Sequence, residues 1–281
     1  MTLEGFFARH PRTALGFSGG TDSAYLLYAG LSLGADVRPY YIKTQFQPEF
    51  ELADASRLAR ELGVELVVIE ADILAADTVA ENPPERCYYC KRTLFSLLAE
   101  RAASDGYTEL LDGTNASDDP GDRPGTRALA ELGVLSPLRD CGVTKAEVRR
   151  LSREAGLFTH DKPSYACLAT RIPAGRRIEP EALRRIDEAE ARLRALGYAD
   201  LRVRLEEGGA RLELPEGQLE LIVSNPPYLT AAEMGALQPE VAQEPAMALE
   251  AGEDAVRERE RLLEALGGFG RVSLDLRGRK V

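Results

Sequence analysis

The sequence predicts an α/β protein, with a parallel sheet covered by helices on both faces, followed by a smaller α+β C-terminal domain. Short apolar runs suit buried strands, and between them lie stretches whose leucines repeat every three or four residues, as on a helix. The apolar runs cover residues 14–17, 40–42, 64–69 and 109–112. Strands that alternate with helices in this way are typical of parallel sheets, because parallel neighbours need long crossover connections.

Helical spacing and end signals define the helices of the first half. The leucine-bearing stretches lie around Leu26, Leu58 and Leu97. A further helix is predicted from the capping box of Thr144 and Glu147, because each side chain can accept a hydrogen bond from the other residue's free N–H group. Gly156 is expected to end that helix.

The pattern changes near residue 164. A linker rich in proline and small residues runs from Asp161 to Gly175, and a long helix is predicted to start at Pro180 and stop at Gly197. Short strands follow at residues 200–205, 210–214 and 271–276. We therefore expect two domains, residues 1–164 and 165–281, with an atypical segment at about 216–253.

Composition and charge indicate which binding partners and which cellular location to expect. The chain has 281 residues and a formal net charge of −11, and this charge argues against tight binding to RNA or DNA, whose phosphates favour basic proteins. No apolar run approaches the roughly 20 residues needed to cross a bilayer, and residues 1–12 lack an apolar signal core. We therefore expect a cytoplasmic protein without membrane contact.

One loop carries the chemistry of the first domain. Residues Ser18–Ser23, Ser-Gly-Gly-Thr-Asp-Ser, join a predicted strand to a predicted helix. The glycines let the backbone approach a phosphate, the N–H groups of the helix start point at it, and Asp22 can hold a magnesium ion. The loop lacks the lysine of a Walker A loop, and a Gly-Gly turn with a helix cap is the alternative. The hexapeptide resembles the loop of the ATP pyrophosphatases, which implies cleavage of ATP to AMP and pyrophosphate.

The cysteines form a second group of candidate residues: Cys87, Cys90, Cys141 and Cys167. The Cys-x-x-Cys spacing of the first two lets both sulfurs reach one metal centre or form a redox pair. Structural zinc prefers four ligands, whereas three cysteines suit a 4Fe-4S cluster with one open iron. The alternative is that the cysteines are structural, and Cys141 is expected to be a plain turn cysteine. Cations near Cys167 are expected to favour its thiolate.

Four stretches together make the chain resemble the LarE family of sulfurtransferases. They are residues 18–23, 82–91, 112–125 and 162–175, with a weaker match at 201–204 and 210–213. The resemblance implies a fold like that of the adenine nucleotide alpha hydrolases. It also implies a small-molecule substrate, pyridinium-3,5-biscarboxylic acid mononucleotide. Family members use ATP to adenylate a carboxylate of this molecule and replace AMP by sulfur, and the thiocarboxylate goes on to the nickel-pincer cofactor.

The resemblance implies roles for single residues. Those placed at the pyrophosphate and at Mg²⁺ are Ser18, Gly19, Gly20, Asp22 and Ser23. Cys167 matches the reactive cysteine, and Arg171 of the same stretch is placed with the nucleotide-binding residues. The positions suited to a substrate phosphate and to magnesium are Arg202, Arg204 and Glu213, for which exposed charges on a strand are the alternative. Residues expected to shape the cleft are Asn115, Asp118 and Arg123.

Members of the family obtain sulfur in two ways. In one subgroup the cysteine that matches Cys167 gives up its own sulfur and becomes dehydroalanine. In the other, three cysteines hold a 4Fe-4S cluster whose open iron delivers a bound sulfide. Cys87, Cys90 and Cys167 stand at the corresponding motifs, which favours the cluster, supplied by sulfide or another sulfur donor.

The second domain departs from the family pattern in two places. A turn usual in the family is replaced at residues 205–209, which weakens the match at the phosphate and metal positions. The segment 219–253 resembles release factor glutamine methyltransferases through Asn-Pro-Pro-Tyr at residues 225–228. Since residues 100–215 offer no glycine-rich cofactor loop for such an enzyme, we expect an insertion without methyl transfer.

Other functions remain as alternatives. The strongest is a tRNA thiolation enzyme that combines the same loop with a cluster, although the charge of −11 favours the small substrate. An amidotransferase-type synthetase with structural cysteines and a scaffold without activity are weaker alternatives. The resemblance also implies a homo-oligomer.

Overall fold

The computed structural model describes most of the chain. It covers residues 1–118, 124–215, 261–262, 264–267 and 269, with the backbone of 272–277. These residues belong to two compact units, Met1–Arg184 and Arg185 onward. The helices of this part are α1 (Leu3–Arg9), α2 (Thr21–Ser32), α3 (Glu49–Glu61), α4 (Asp77–Ala80), α5 (Arg86–Ser104), α6 (Pro124–Glu131), α7 (Pro137–Asp140), α8 (Lys145–Glu154) and α9 (Pro180–Ala195). The strands are β1 (Arg12–Gly16), β2 (Asp36–Lys43), β3 (Val67–Glu70), β4 (Leu110–Leu111), β5 (Arg202–Glu206), β6 (Gly209–Pro215) and β7 (Val272–Arg277).

The first unit is built on a four-stranded parallel sheet with the strand order β3-β2-β1-β4. β1 pairs with β2 along its whole length and with β4 at two positions. The chain therefore winds outward from β1 through β2 and β3, and β4 then returns to the opposite side of β1. The prediction of an α/β fold with a parallel sheet is confirmed.

Helices cover both faces of this sheet, because successive strand residues point to opposite sides. On one face Leu15 and Leu111 pack with residues of α2, α7 and α8. On the other face their chain neighbours Ala14 and Leu110 pack with residues of α5 and α6. All four strand side chains are buried, so the predicted placement of helices on both faces is confirmed.

Two predicted helix ends are confirmed. At α8 the hydroxyl of Thr144 accepts a hydrogen bond from the N–H of Glu147 at 3.3 Å, and the glutamate accepts one from the N–H of Thr144 at 2.9 Å. This completes the capping box. α9 begins at Pro180 and ends before Gly197, whose φ of +99° suits the residue that follows a helix.

The second unit contains a three-stranded sheet. β5 and β6 form an antiparallel hairpin whose turn contains Gly208 at a φ of +73°, and β7 pairs in parallel with β6. That this region forms an α+β domain stays a prediction, because the atypical segment lies outside the described residues. The units divide at Arg184. The linker that the sequence assigns to the second domain thus lies with the first unit, where the N–H of Leu168 donates to Phe46 O at 2.9 Å.

Length and polarity distinguish the described helices from membrane-spanning helices. Within the described part of the chain, no helix is both long and apolar enough to cross a membrane. α5 is the longest of these helices at 19 residues, but it carries charged side chains from Arg86 to Arg101. The cytoplasmic location stays a prediction.

Replacing Leu111 by alanine tests the packing of helices against the sheet face that carries Leu15 and Leu111. Leu111 is 0% exposed, so Leu111→Ala should lower the free energy of unfolding by about 2–5 kcal/mol, through lost contacts and a residual cavity. Urea denaturation followed by circular dichroism measures this loss. Leu33→Ala is the matched control, since Leu33 is 45% exposed and should change stability by only about 0.5 kcal/mol. Equal effects of the two substitutions would contradict the described core.

Candidate functional site

The phosphate-loop candidate lies where β1 ends and α2 begins. β1 ends at Gly16, α2 starts at Thr21, and Gly20 is the residue that precedes the helix. Among the described residues no side chain caps this helix end, so its first N–H groups are available to an anion. β1 is also the strand at which the winding direction reverses. In open parallel sheets, ligands bind at the carboxyl ends of the strands at such a point.

Close packing explains the two glycines of the loop. Gly19 has a φ of +67°, and a Cβ atom placed on it would lie 3.0 Å from the backbone of Ala55 in α3. The N–H of Gly20 donates to Ser18 Oγ at 3.3 Å. This hydroxyl lies 3.2 Å from Ser23 Oγ, so two hydroxyl groups converge beside the start of α2. A tight backbone and converging donors are what a phosphate site needs.

The segment after β4 packs directly against the start of α2. A Cβ atom on Gly113 would lie 3.0 Å from the backbone nitrogen of Ser23. The buried side chain of Asn115 donates from Nδ2 to Asp22 Oδ1 at 3.3 Å, and its backbone N–H donates to Asp118 Oδ2 at 3.1 Å. Two of the three residues expected to shape the cleft are therefore at the loop. The third, Arg123, lies outside the described residues.

Asp22, the predicted magnesium ligand, is held by a lysine that the sequence did not single out for this role. Lys145 Nζ donates to Asp22 Oδ2 at 2.6 Å. Lys145 is the first residue of α8 and directly follows Thr144 of the capping box. The two residues are 123 positions apart, and no local pattern indicates such a pair. A magnesium ion at Asp22 would have to replace the lysine.

A second lysine joins the loop to the segment that carries Cys167. Lys162 Nζ lies 3.3 Å from Gly19 O, to which it donates, and 2.6 Å from Asp54 Oδ2 of α3. Lys162 belongs to the fourth stretch of the family resemblance, but neither it nor Asp54 was assigned a role. Their ion pair ties loop, helix and cysteine segment together.

The Cys-x-x-Cys pair lies in the first turn of α5, and polar contacts tie this turn to the Cys167 segment. Arg86 Nη1 donates to Ala169 O at 2.9 Å and to Asn82 Oδ1 at 2.6 Å. Asn82 in turn donates from Nδ2 to Pro173 O at 2.8 Å. Asn82 adopts a φ of +55°, which asparagine tolerates better than most residues. Arg86 and Asn82 are both buried, so this pair fixes one cysteine segment against the other.

The three thiols share one electrostatic environment. Burial raises the pKa of Cys90 to about 12, and the nearby Cys167 and Cys87 raise it further, against the opposing effect of Arg86. Burial also raises the pKa of the Cys167 thiol, although Arg86 and Arg171 act in the opposite direction. The expectation that nearby cations favour a thiolate at Cys167 is therefore wrong, because desolvation outweighs the two guanidinium groups.

Three sulfur donors are the right chemistry for a 4Fe-4S cluster with one open iron. Cys90 and Cys167 lie close enough to each other and to Cys87 for their charges to interact. In the part of the chain that the structure describes, no three His, Cys, Asp or Glu side chains are arranged as ligands of a metal ion. Three thiols suit such a cluster by their chemistry, but the described structure does not arrange them as its ligands, so the cluster stays a prediction. Cys141 lies apart, at the end of α7 beside the core.

Arg171, expected among the nucleotide-binding residues, makes contacts within the cysteine segment. It is 1% exposed, and its Nη1 donates to Ala166 O and to Thr170 Oγ1, each at 3.0 Å. Its guanidinium carbon also lies 4.6 Å from the centre of the Tyr165 ring. These contacts make Arg171 a positioning residue for Cys167, and direct nucleotide binding stays a prediction.

The charged residues expected at a substrate phosphate come together within the second unit. Glu213 on β6 accepts from Arg204 Nε at 2.5 Å and pairs with Arg211 Nη2 at 3.4 Å. Arg202 lies opposite Glu213 in the β5–β6 register. Glu213 is 6% exposed, so a simple solvated strand face does not describe this group.

Comparisons with known proteins identify relatives over most of the chain. No family model matches it. The pyridinium-3,5-bisthiocarboxylic acid mononucleotide synthase of Lactiplantibacillus plantarum is 34% identical over 210 residues, 74% of this chain and 76% of that protein. The uncharacterized protein slr1717 of Synechocystis is 38% identical over 226 residues, covering 79% and 84% of the two chains.

Two further similarities bear on the alternatives. The tRNA-specific 2-thiouridylase MnmA of a Thermotoga species is 26% identical over 194 residues, 54% of each chain. A release factor glutamine methyltransferase of Rhodospirillum rubrum is 32% identical over 196 residues, 66% of this chain and 54% of that protein. The sequence resembles the same class of enzyme at residues 225–228, which lie outside the described residues.

Substitution of Gly19 tests the loop as a nucleotide site. Gly19→Ala should weaken ATP binding at least about tenfold, because the new Cβ would meet the Ala55 backbone and force the loop to move. Isothermal titration with ATP and magnesium measures the affinity. Gly34→Ala is the matched control: Gly34 also has a positive φ, +79°, but nothing lies within 4 Å of the added atom. Equal affinity of both variants would exclude the loop as the binding site.

Proposed function

The chain belongs to the LarE family, that of the pyridinium-3,5-bisthiocarboxylic acid mononucleotide synthase, and we propose that it catalyses ATP-dependent sulfur transfer on the same type of substrate. In this proposal the protein adenylates a carboxylate of pyridinium-3,5-biscarboxylic acid mononucleotide and then replaces AMP by sulfur. The product is a thiocarboxylate for nickel-pincer cofactor synthesis. A cytoplasmic homo-oligomer is part of the proposal.

The observation that carries this proposal is the link between the loop and the cysteine segment within one unit. Lys162 contacts Gly19 of the loop, and Cys167 follows five residues later in the sequence. A carboxylate resists attack by sulfur until its oxygen belongs to a good leaving group such as AMP. Adenylation and sulfur attack must therefore occur close together, and this arrangement supports that order of events.

The loop residues serve the first step. N–H groups at the start of α2 and the hydroxyls of Ser18 and Ser23 donate hydrogen bonds to the departing pyrophosphate. Asp22 would hold a magnesium ion, and Lys145, whose Nζ lies 2.6 Å from Asp22 Oδ2, would supply a positive charge beside the loop. Magnesium, when bound, would neutralise charge on the phosphates. Arg202 and Arg204 are assigned to the substrate phosphate, and Glu213 to a magnesium ion.

Two sources of sulfur are compatible with the cysteines. Cys87, Cys90 and Cys167 would hold a 4Fe-4S cluster, which when bound would present an open iron to a sulfide ligand. In the alternative, Cys167 gives up its own sulfur. Asn82 and Arg86 serve both versions, because they hold the Cys167 segment against the first turn of α5.

Turnover assays separate the small substrate from tRNA. The protein is incubated anaerobically with ATP and magnesium, and with either the pyridinium mononucleotide or tRNA. We expect AMP and a thiocarboxylate, identified by mass spectrometry, only with the mononucleotide. AMP formed only with tRNA would favour the thiolation enzyme that the similarity to MnmA suggests.

Cys167→Ala separates sulfur transfer from adenylation. The variant should lose thiocarboxylate formation and keep substrate-dependent exchange of pyrophosphate into ATP, because the thiol is needed only after AMP is attached. Cys141→Ala is the control and should keep both activities, since Cys141 lies at the end of α7. Undiminished thiocarboxylate formation in Cys167→Ala would remove this residue from the mechanism.

Iron content tests the cluster version. After anaerobic reconstitution with iron and sulfide, the wild-type protein should be brown and hold about four irons per chain. Cys87→Ala and Cys90→Ala should each abolish the colour, and Cys141→Ala should keep it. A colourless wild-type protein with all four thiols free would leave the sacrificial version.

A further inference from the structure

Three acidic side chains lie near the start of α3, and two of them have partners. Glu49 Oε1 lies 2.7 Å from Lys43 Nζ, and Asp54 Oδ2 lies 2.6 Å from Lys162 Nζ. Among the described residues, no hydrogen bond or ion pair ends on the carboxylate of Glu51.

The fold places Glu51 between the nucleotide loop and the cysteine segment. Glu51 and Ala55 are four residues apart and therefore share one face of α3. Ala55 is the residue whose backbone closely approaches Gly19. Phe50 directly precedes Glu51, and Tyr165 lies two residues before Cys167. The centres of the Phe50 and Tyr165 rings are 5.2 Å apart. The start of α3 thus contacts both parts of the proposed active site.

Charged groups from several elements surround the Glu51 carboxylate. They are Lys43 of β2, Asp54 of α3, Lys162 of the linker and Arg171 of the cysteine segment. Glu49 and the buried Tyr41 complete the set. Burial raises the pKa of Glu51 to about 7, although the three cations act in the opposite direction. A carboxyl group with such a pKa exchanges protons readily at neutral pH.

Attack on an acyl adenylate by a thiol or by hydrosulfide releases the proton of the S–H group. A thiol with an ordinary pKa near about 8.5 is mostly protonated at neutral pH, so its attack requires a base. We propose that Glu51 is the base that accepts this proton when sulfur displaces AMP, an inference that rests on the proposed function. The C–S bond forms, the C–O bond to AMP breaks with its electron pair leaving on AMP, and the S–H proton passes to the Glu51 carboxylate. No oxidant or reductant is needed.

Glu51→Gln tests this role, with Glu49→Gln as the matched control. The control removes a neighbouring carboxylate whose side chain is 80% exposed. For each protein, pyrophosphate exchange reports adenylation, and anaerobic thiocarboxylate formation with sodium sulfide reports transfer. Glu51→Gln should keep exchange and lose transfer at pH 7 by about 100-fold or more, whereas Glu49→Gln should match the wild type in both.

The pH profile adds a readout that a structural role would not change. Wild-type transfer should fall as the pH drops through about 7, because protonated Glu51 cannot accept a proton, and the residual transfer of Glu51→Gln should lack this dependence. The variant should also unfold at a higher temperature than the wild type at pH 8, since it removes a charge whose desolvation raises the pKa of Glu51 in the folded state.

Two outcomes would overturn the inference, and a third would overturn the proposed function on which it rests. Transfer that is unchanged in Glu51→Gln would show that the carboxylate is not the base. Loss of exchange and transfer together would assign Glu51 to nucleotide binding or to folding. A wild-type protein that shows neither activity with the mononucleotide would instead overturn the proposed function itself, and so the two failures are distinguishable.

Discussion

The position of β1 between β2 and β4 is the constraint on which the candidate site depends. Neighbouring parallel strands end at the same edge of a sheet, so the loop after β1 and the segment after β4 must meet there. Their meeting is close enough that Gly113 leaves no room for a side chain beside Ser23. Asn115 and Lys145, both far from the loop in sequence, then contact the two carboxylate oxygens of Asp22. A different strand order would separate all of these groups.

Buried polar contacts fix the two cysteine segments against each other, as the strand order fixes the loop beside the segment after β4. Asn82 and Arg86 are buried and must have their hydrogen-bonding groups satisfied, and the available partners are carbonyls of the Cys167 segment. Moving that segment would take the acceptor Ala169 O away from the buried guanidinium of Arg86, which costs more than losing an exposed contact. The same segment is held at its other end by Lys162, which contacts the loop. The two halves of the proposed reaction are thus fixed by one set of polar contacts.

Features that depend on neighbouring residues could be predicted from the sequence, whereas burial and contacts in the folded chain could not. The strands, the capping box at Thr144 and the helix from Pro180 depend on neighbouring residues, and the structure confirms them. The protonation of Cys167 was predicted wrongly, because burial cannot be judged from the cations nearby in sequence. Arg171 shows the same limit, since its contacts with Ala166 and Tyr165 require the folded segment.

By itself, the sequence determined the strands, the helices marked by leucine spacing or by end signals, the phosphate-loop motif and the cysteine set, because each depends on residues close together in the sequence. Only the tertiary structure decided which charges meet. Lys145 pairs with Asp22, Lys162 pairs with Asp54, and Glu51 has no partner among the described residues. These pairings join residues about a hundred positions apart. The physical reason is that ion pairing and desolvation depend on distance and burial in the folded chain, and neither quantity is carried by local sequence.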